Sequence, residues 1–189
     1  MPPTNSLLQS VKSQWSEIVP AAEFLKTLWN PVKQACQRLE MNSGALAGWY
    51  WIYTRLRQDD LRKCEAPAAT DDEAVPISQL VSLHDGLPFV IPLPAAGCDW
   101  WCVYTGKGIN LRQRVQAHFK VNPTGGTGSL SLGRYDDPVS DLKNWGVRIL
   151  ICSEQEDMPF GINLTWSEHH TTIERLWRLQ NGWPILCRI

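Results

Sequence analysis

The hydrophobic pattern changes period several times along the chain. Gly48-Trp-Tyr-Trp-Ile-Tyr-Thr54 is an unbroken run of aromatic and β-branched residues, a composition of high strand propensity. Trp145-Gly-Val-Arg-Ile-Leu-Ile-Cys152 reads as a buried strand. Between them, Val103-Tyr-Thr-Gly106 predicts a short strand that ends in a glycine turn. A helix follows in which Leu111, Val115 and Phe119 recur every fourth residue as an apolar stripe. Asn110 stands at the N-cap position of that helix, where a side-chain oxygen can accept a hydrogen bond from a free backbone N–H. From Thr165 to Gln180 the pattern is again helical, with Ile173, Leu176, Trp177 and Gln180 on one side. Asn181-Gly182-Trp183-Pro184 then ends the helix in a left-handed turn.

The flanking segments are less regular. Residues 5–43 predict two amphipathic helices, the first marked by Leu7, Leu8, Val11, Trp15 and Ile18. Leu25, Leu28, Trp29, Val32, Cys36 and Leu39 mark the second, and Pro31 is able to start a fresh helix there. Residues 55–99 contain prolines and acids, with a short strand at Phe89-Val-Ile-Pro92, and read as an insertion. Residues 122–138 hold four glycines in a surface loop that lacks the lysine of a nucleotide-binding cradle. The chain thus divides into a helical extension, 1–45, and a core domain, 46–189, with the insertion at about 55–99.

Composition narrows the function. With 18 basic and 19 acidic side chains the net charge is −1, so nothing global points to nucleic acid. Locally the picture differs: residues 101–120 carry Lys107, Arg112, Arg114, His118 and Lys120 and no acid. The acids gather at Asp71-Asp72-Glu73 and Glu154-Gln-Glu156-Asp157, which read as exposed loops. No apolar run approaches a membrane span and no signal peptide is legible, so a cytoplasmic protein without a membrane partner is expected. The six cysteines form no paired framework, and Cys36, Cys102, Cys152 and Cys187 read as reduced core thiols. Zinc on Cys98 and Cys102 is the weaker reading. Of the ten tryptophans, Trp15, Trp29, Trp145 and Trp177 fit core positions. Trp49, Trp51, Trp100 and Trp101 are assigned to the core ahead of base stacking.

Tyr104, Lys107, Arg114 and His118 converge on one turn, and that set suits a phosphate group. The order Tyr104-Thr105-Gly106, Asn110-Leu111, Arg114 and His118 resembles the second motif of the GIY-YIG nuclease superfamily, with the Arg-x-x-x-His of its restriction-endonuclease branch. The resemblance spans roughly residues 45–189. It implies an α/β (α+β) fold, a small core whose central three-stranded, mostly antiparallel sheet is flanked by helices. Gly48-Trp49-Tyr50 would supply the first tyrosine strand; Leu87-Pro-Phe-Val-Ile91 is the rival, and it puts Ile91 where a hydroxyl belongs. Glu174 resembles the family's metal ligand, although Thr171-x-x-Glu174 also fits a capping box. The family's later asparagine has no counterpart, since Leu186 and Cys187 stand in that zone.

The chemistry implied is phosphodiester hydrolysis with Mg²⁺ or Mn²⁺ on Glu174. Arg114 would bind the non-bridging oxygens, with Tyr50 as base and Tyr104 positioning the water. Lys107 would lower a tyrosine pKa or hold phosphate, and His118 would orient Tyr104 or relay a proton. Lys107, Arg112, Lys120 and Arg134 are the expected nucleic-acid contacts. The expected partner is double-stranded DNA, cut by a type II restriction-like enzyme acting as a homodimer. The alternatives are a non-catalytic nucleic-acid-binding protein on a degenerate scaffold and an RNA-cleaving toxin.

Overall fold

The structure, a computed structural model, describes residues 17–26, 47–65, 76–91, 99–120, 128–151 and 166–187, with backbone alone at 151 and 166–170. Strand β1 (Val19–Pro20) is followed by helix α1 (Ala21–Lys26) and strand β2 (Gly48–Thr54). Helices α2 (Gln58–Lys63) and α3 (Ile77–His84) precede strand β3 (Trp101–Gly108) and helix α4 (Leu111–Phe119). Strand β4 (Trp145–Ile151) and helix α5 (Trp166–Asn181) complete the order. The sheet is wholly antiparallel, in the order β1-β4-β2-β3. Among the described residues it therefore has four strands where three were expected. The fourth is a two-residue edge segment ending in Pro20, whose missing N–H is tolerated at a sheet margin.

Strand β2 lies in the middle, and all seven of its residues are buried. That accounts for its near-continuous apolar composition, because each face is covered by a helix. On one face Tyr50, Ile52, Val103 and Tyr104 pack with Leu111, Val115 and Phe119 of α4. On the other, Trp49, Trp51, Tyr53, Cys102 and Leu150 pack with Ile173 and Trp177 of α5. The Trp51 and Trp177 rings lie 5.9 Å apart, tilted by 48°, a favoured aromatic arrangement. Trp49, Trp51, Trp101 and Trp145 are core residues. Trp100 is half-buried, with the Arg55 guanidinium 4.2 Å over its ring.

Several expectations need correction. The glycine turn after Tyr104 is instead strand, since β3 runs through Gly108 and pairs it with Gly48. On α5, Gln180 is exposed, so the buried side is formed by Ile173 and Trp177. The helix runs through Thr171 and Glu174, as the helical pattern from Thr165 implied, so the alternative of a capping box there does not hold. Its end is as anticipated: the Asn181 side chain bonds the Trp177 carbonyl, and Gly182 follows at φ +96°. Ile18 precedes a strand and is not on a helix; the remainder of the predicted amphipathic pair lies largely outside the described residues.

Among its described residues the insertion contains two helices that its prolines and acids concealed. In α3, Ile77, Leu80, Val81 and His84 are buried. Phe89–Ile91 is tied to the C-terminal segment by a parallel bridge from Val90 to Trp183, so Ile91 is not beside Tyr104. The glycine-containing stretch is no surface loop over 128–135. Ser129, Leu130, Ser131, Leu132 and Tyr135 are buried, because Leu130 and Leu132 send alternate side chains into the core.

Candidate functional site

The β2–β3 register sets the geometry. Tyr50 pairs with Gly106 and Ile52 with Tyr104, so both tyrosines face α4. Their rings stack with centroids 6.2 Å apart. A Cβ on Gly106 would run into the Tyr50 ring and hydroxyl, so the glycine is what lets that side chain cross its strand partner. The Tyr104 hydroxyl donates to the Gly128 carbonyl at 2.8 Å.

Asn110 caps α4 by accepting the Gln113 N–H at 3.0 Å. The helix directs Arg114 and His118 at the tyrosine pair. His118 is fully buried, and its ring lies 5.3 Å from Tyr50 and 4.7 Å from Tyr104. Its Nδ1 accepts the backbone N–H of Leu130 at 3.1 Å. That bond requires Nδ1 to be unprotonated, which places the proton of the neutral ring on Nε2. Nε2, 2.8 Å from the Tyr50 hydroxyl, is therefore the donor to it. Burial, reinforced by the Arg114 charge, pushes the His118 pKa well below its ordinary value and keeps the ring neutral. The expected partner was Tyr104. His118 packs on Tyr104 but bonds Tyr50.

Burial pushes the Tyr50 hydroxyl pKa well up, with Tyr104 adding to the rise and Arg114 opposing it. Tyr104 is pushed up to about 12, again chiefly by burial, with Cys187 and Glu174 raising it and Arg114 and Tyr50 acting downward. The expectation that a neighbouring cation leaves a tyrosine with a lowered pKa is overturned in the free protein, because desolvation outweighs the cation. For Arg114, burial works against the charge, yet the two tyrosines outweigh it and raise its pKa.

Lys107 and Thr105 alternate with Tyr104 and Gly106, so they face α5. Glu174 meets them there. Its Oε1 accepts from Arg178 Nη2 at 2.6 Å, and its Oε2 lies 3.5 Å from Lys107 Nζ. Lys107 also donates to Thr171 Oγ1 at 2.8 Å. Arg178 bonds Thr105 Oγ1 through Nε at 3.1 Å and Nη2 at 3.0 Å, fixing the fork of its guanidinium.

The two sets meet because β3 is the outermost strand. Its first half is covered by the C-terminal segment, with Leu186 N–H donating to the Val103 carbonyl at 2.9 Å and Thr105 N–H to Cys187 Sγ at 3.3 Å. Beyond that point the edge opens into a cavity of about 300 Å³. Tyr50, Tyr104 and Arg114 line it from the α4 face, and Lys107, Glu174 and Arg178 from the α5 face. Leu186 and Cys187, in the zone of the missing asparagine, form part of its wall. Burial pushes the Cys187 thiol pKa up, against the Arg178 charge.

Of the anticipated residues, Tyr50, Tyr104, Lys107, Arg114 and Glu174 thus share one cavity, with His118 behind Tyr50. Arg112 and Arg134 are half-buried and Lys120 exposed; none of the three lines the cavity. Arg178, Thr105 and Cys187 were not anticipated. Arg178 was the most accessible of these, being four residues after Glu174 on one helix face. Cys102 and Cys187 are buried and unbridged, and Cys64 is half-buried and unbridged. Cys36, Cys98 and Cys152 lie outside the described residues. No helix among the described residues is long and apolar enough to cross a membrane.

Among the described residues no three His, Cys, Asp or Glu side chains converge as a metal cage. Glu174 is the one carboxylate among the described residues that line the cavity. A single carboxylate is compatible with Mg²⁺, which keeps several waters and takes its remaining ligands from substrate phosphate. Of the two oxygens, Oε2 has the longer contact, 3.5 Å to Lys107 Nζ, and is the less tightly held. No family model matches the chain, and no curated protein or solved structure does.

Proposed function

We propose that the chain is a divalent-metal-dependent endonuclease that hydrolyses phosphodiester bonds of double-stranded DNA, on a site that resembles that of GIY-YIG nucleases. One observation carries this reading: among the described residues, a single cavity at an open strand edge gathers a tyrosine pair, two arginines, a lysine and one carboxylate. A phosphate seated there meets Arg114 from one face of the sheet and Lys107 and Arg178 from the other. Planar guanidinium groups suit its non-bridging oxygens, and their charge counters the charge that accumulates in the transition state.

Water attacks phosphorus as the bond to the leaving oxygen breaks. Tyr50 is the group placed to take the water's proton. It can do so only as phenolate, and burial keeps its proton on in the free protein. Its own proton must first pass to solvent water through the open cavity, and Arg114 and the Nε2–H of His118 are the groups that would stabilise the resulting phenolate. His118 thus donates to the base and is not itself the acceptor. Tyr104, anchored on Gly128, orients the water. Glu174 would hold Mg²⁺ or Mn²⁺, and the ion supplies polarisation of a phosphate oxygen and stabilisation of the leaving oxygen.

A second reading has a specific observation in its favour. Both Glu174 oxygens already face cations, and an ion-paired acid is the ordinary state of such a residue. A protein that keeps that arrangement binds nucleic acid without cutting it. An RNA-cleaving protein would use the same groups on another substrate.

The deciding experiment incubates the purified chain with supercoiled plasmid and with structured RNA, in Mg²⁺, Mn²⁺ or EDTA. Metal-dependent plasmid cleavage, abolished by Arg114→Ala and by Glu174→Ala, is expected. Cleavage of RNA alone selects the third reading. Binding to both without cleavage selects the second.

A further inference from the structure

A second cavity, of about 910 Å³, lies on the other side of Arg178, between the C-terminal half of α5 and the Phe89–Ile91 bridge. Its volume is in the range of small-molecule sites. Phe89 and Trp183 supply aromatic surface, Arg175 and Arg178 supply charge, and Gln180 and Asn181 supply amides. No acid is among the described residues that line it. Phe89 is 47% exposed and neighbouring Leu179 84% exposed, so large apolar groups face solvent beside two guanidinium groups. Arg178 is common to both cavities. Its Nε and Nη2 reach Thr105 and Glu174, while its guanidinium carbon sits 4.4 Å over the Trp183 ring. One side chain therefore forms the wall between them.

We infer that this second cavity receives an unpaired base of the same strand whose phosphate occupies the first. Base–aromatic stacking tolerates any base, arginine stacks on a base or takes its phosphate, and the amides offer donors and acceptors to a base edge. A base reaches such a groove only when unstacked from its duplex, so the substrate has a locally unpaired or extrahelical nucleotide next to the bond that is cut. The inference rests on the proposed nuclease reading, and its test separates the two.

The test compares fluorescein-labelled oligothymidylate of about ten nucleotides with an abasic oligomer carrying the same phosphates. Anisotropy titrations use the full chain in EDTA. The wild-type protein binds the base-bearing oligomer about tenfold more tightly. Phe89→Ala and Arg175→Ala, both at exposed positions, lower that ratio towards one. Arg114→Ala weakens both oligomers alike and leaves the ratio standing. An undiminished ratio in Phe89→Ala and Arg175→Ala overturns the inference while leaving the nuclease reading intact. A wild-type protein that binds neither oligomer and cuts no DNA overturns both.

Discussion

His118 gives a measurable signature at the scale of single residues. It is buried and neutral in the folded protein, with its pKa depressed by burial and by Arg114. An unfolded histidine titrates near pH 6.5, so below that value the unfolded chain binds a proton that the folded chain refuses. Stability from this group is fully present above about pH 6.5 and is lost as pH falls, at up to about 1.4 kcal/mol per pH unit. Urea titrations between pH 5 and 7 should show this slope in the wild type and a shallower one in His118→Gln; equal slopes would mean that the ring is not buried as described. Gly106 offers a second test, because a methyl group there collides with Tyr50. Gly106→Ala should destabilise by roughly 1–3 kcal/mol, the usual penalty for overpacking. On the proposed nuclease reading, cleavage should fall by more than the unfolded fraction explains, since Tyr50 is displaced. Tyr104, Arg114 and His118 were legible because local pattern fixes them: a capped helix directly after a strand presents residues 114 and 118 to the residues it packs on. Tyr50, 68 positions before His118, came from the resemblance and had a rival in the Leu87–Ile91 segment. The pKa directions were not legible. They depend on burial from all sides, which no local spacing encodes.

At the scale of elements, the long strands were readable and the short or polar pieces were not. β2 and β4 announce themselves because burial on both faces removes polar residues from the sequence. β1 is two residues long and leaves no period to detect. α2 buries only Leu61, so its composition is that of a loop. The extension of β3 through Gly108 was hidden by two glycines, ordinarily the mark of a turn; here one of them accommodates Tyr50. The α5–β3 junction was missed for a related reason: Arg178 and Thr105 are 73 positions apart, and only the fold brings them together. That junction makes its own prediction. Arg178→Ala removes two bonds to Thr105 and the closer partner of a largely buried carboxylate. A loss of about 1–3 kcal/mol is expected, the range for leaving a buried polar group unsatisfied. Arg178→Lys keeps a charge but loses the fork, and should restore only part of it. Chemical denaturation of the two variants checks the order; an Arg178→Ala protein as stable as wild type would show that the Arg178 contacts do not hold α5 to the sheet edge.

At the scale of the whole molecule, the site lies at one edge of one sheet, with a single carboxylate among the described residues of its wall. On the proposed nuclease reading such a site acts on one phosphodiester at a time, so one copy of the chain would nick a duplex, and a double-strand break would need two copies or two visits. Net charge adds to this constraint: at −1 overall, the molecule has no general attraction for DNA, and on the same reading binding would depend on local cations such as Arg114, Lys107 and Arg178. A second copy doubles those contacts, and a two-fold pair presents the same surface to each strand of a symmetric site. With plasmid in excess and protein limiting, nicked circles should therefore accumulate first. Linear product should rise more steeply than in proportion to protein concentration, and sedimentation with an uncleaved duplex in Ca²⁺ should show two chains per DNA. Raising salt should weaken binding steeply, because each neutralised phosphate releases condensed counterions. A chain that remains a monomer on the duplex and makes linear product without a nicked intermediate would break the link between one cavity, one carboxylate and one cut.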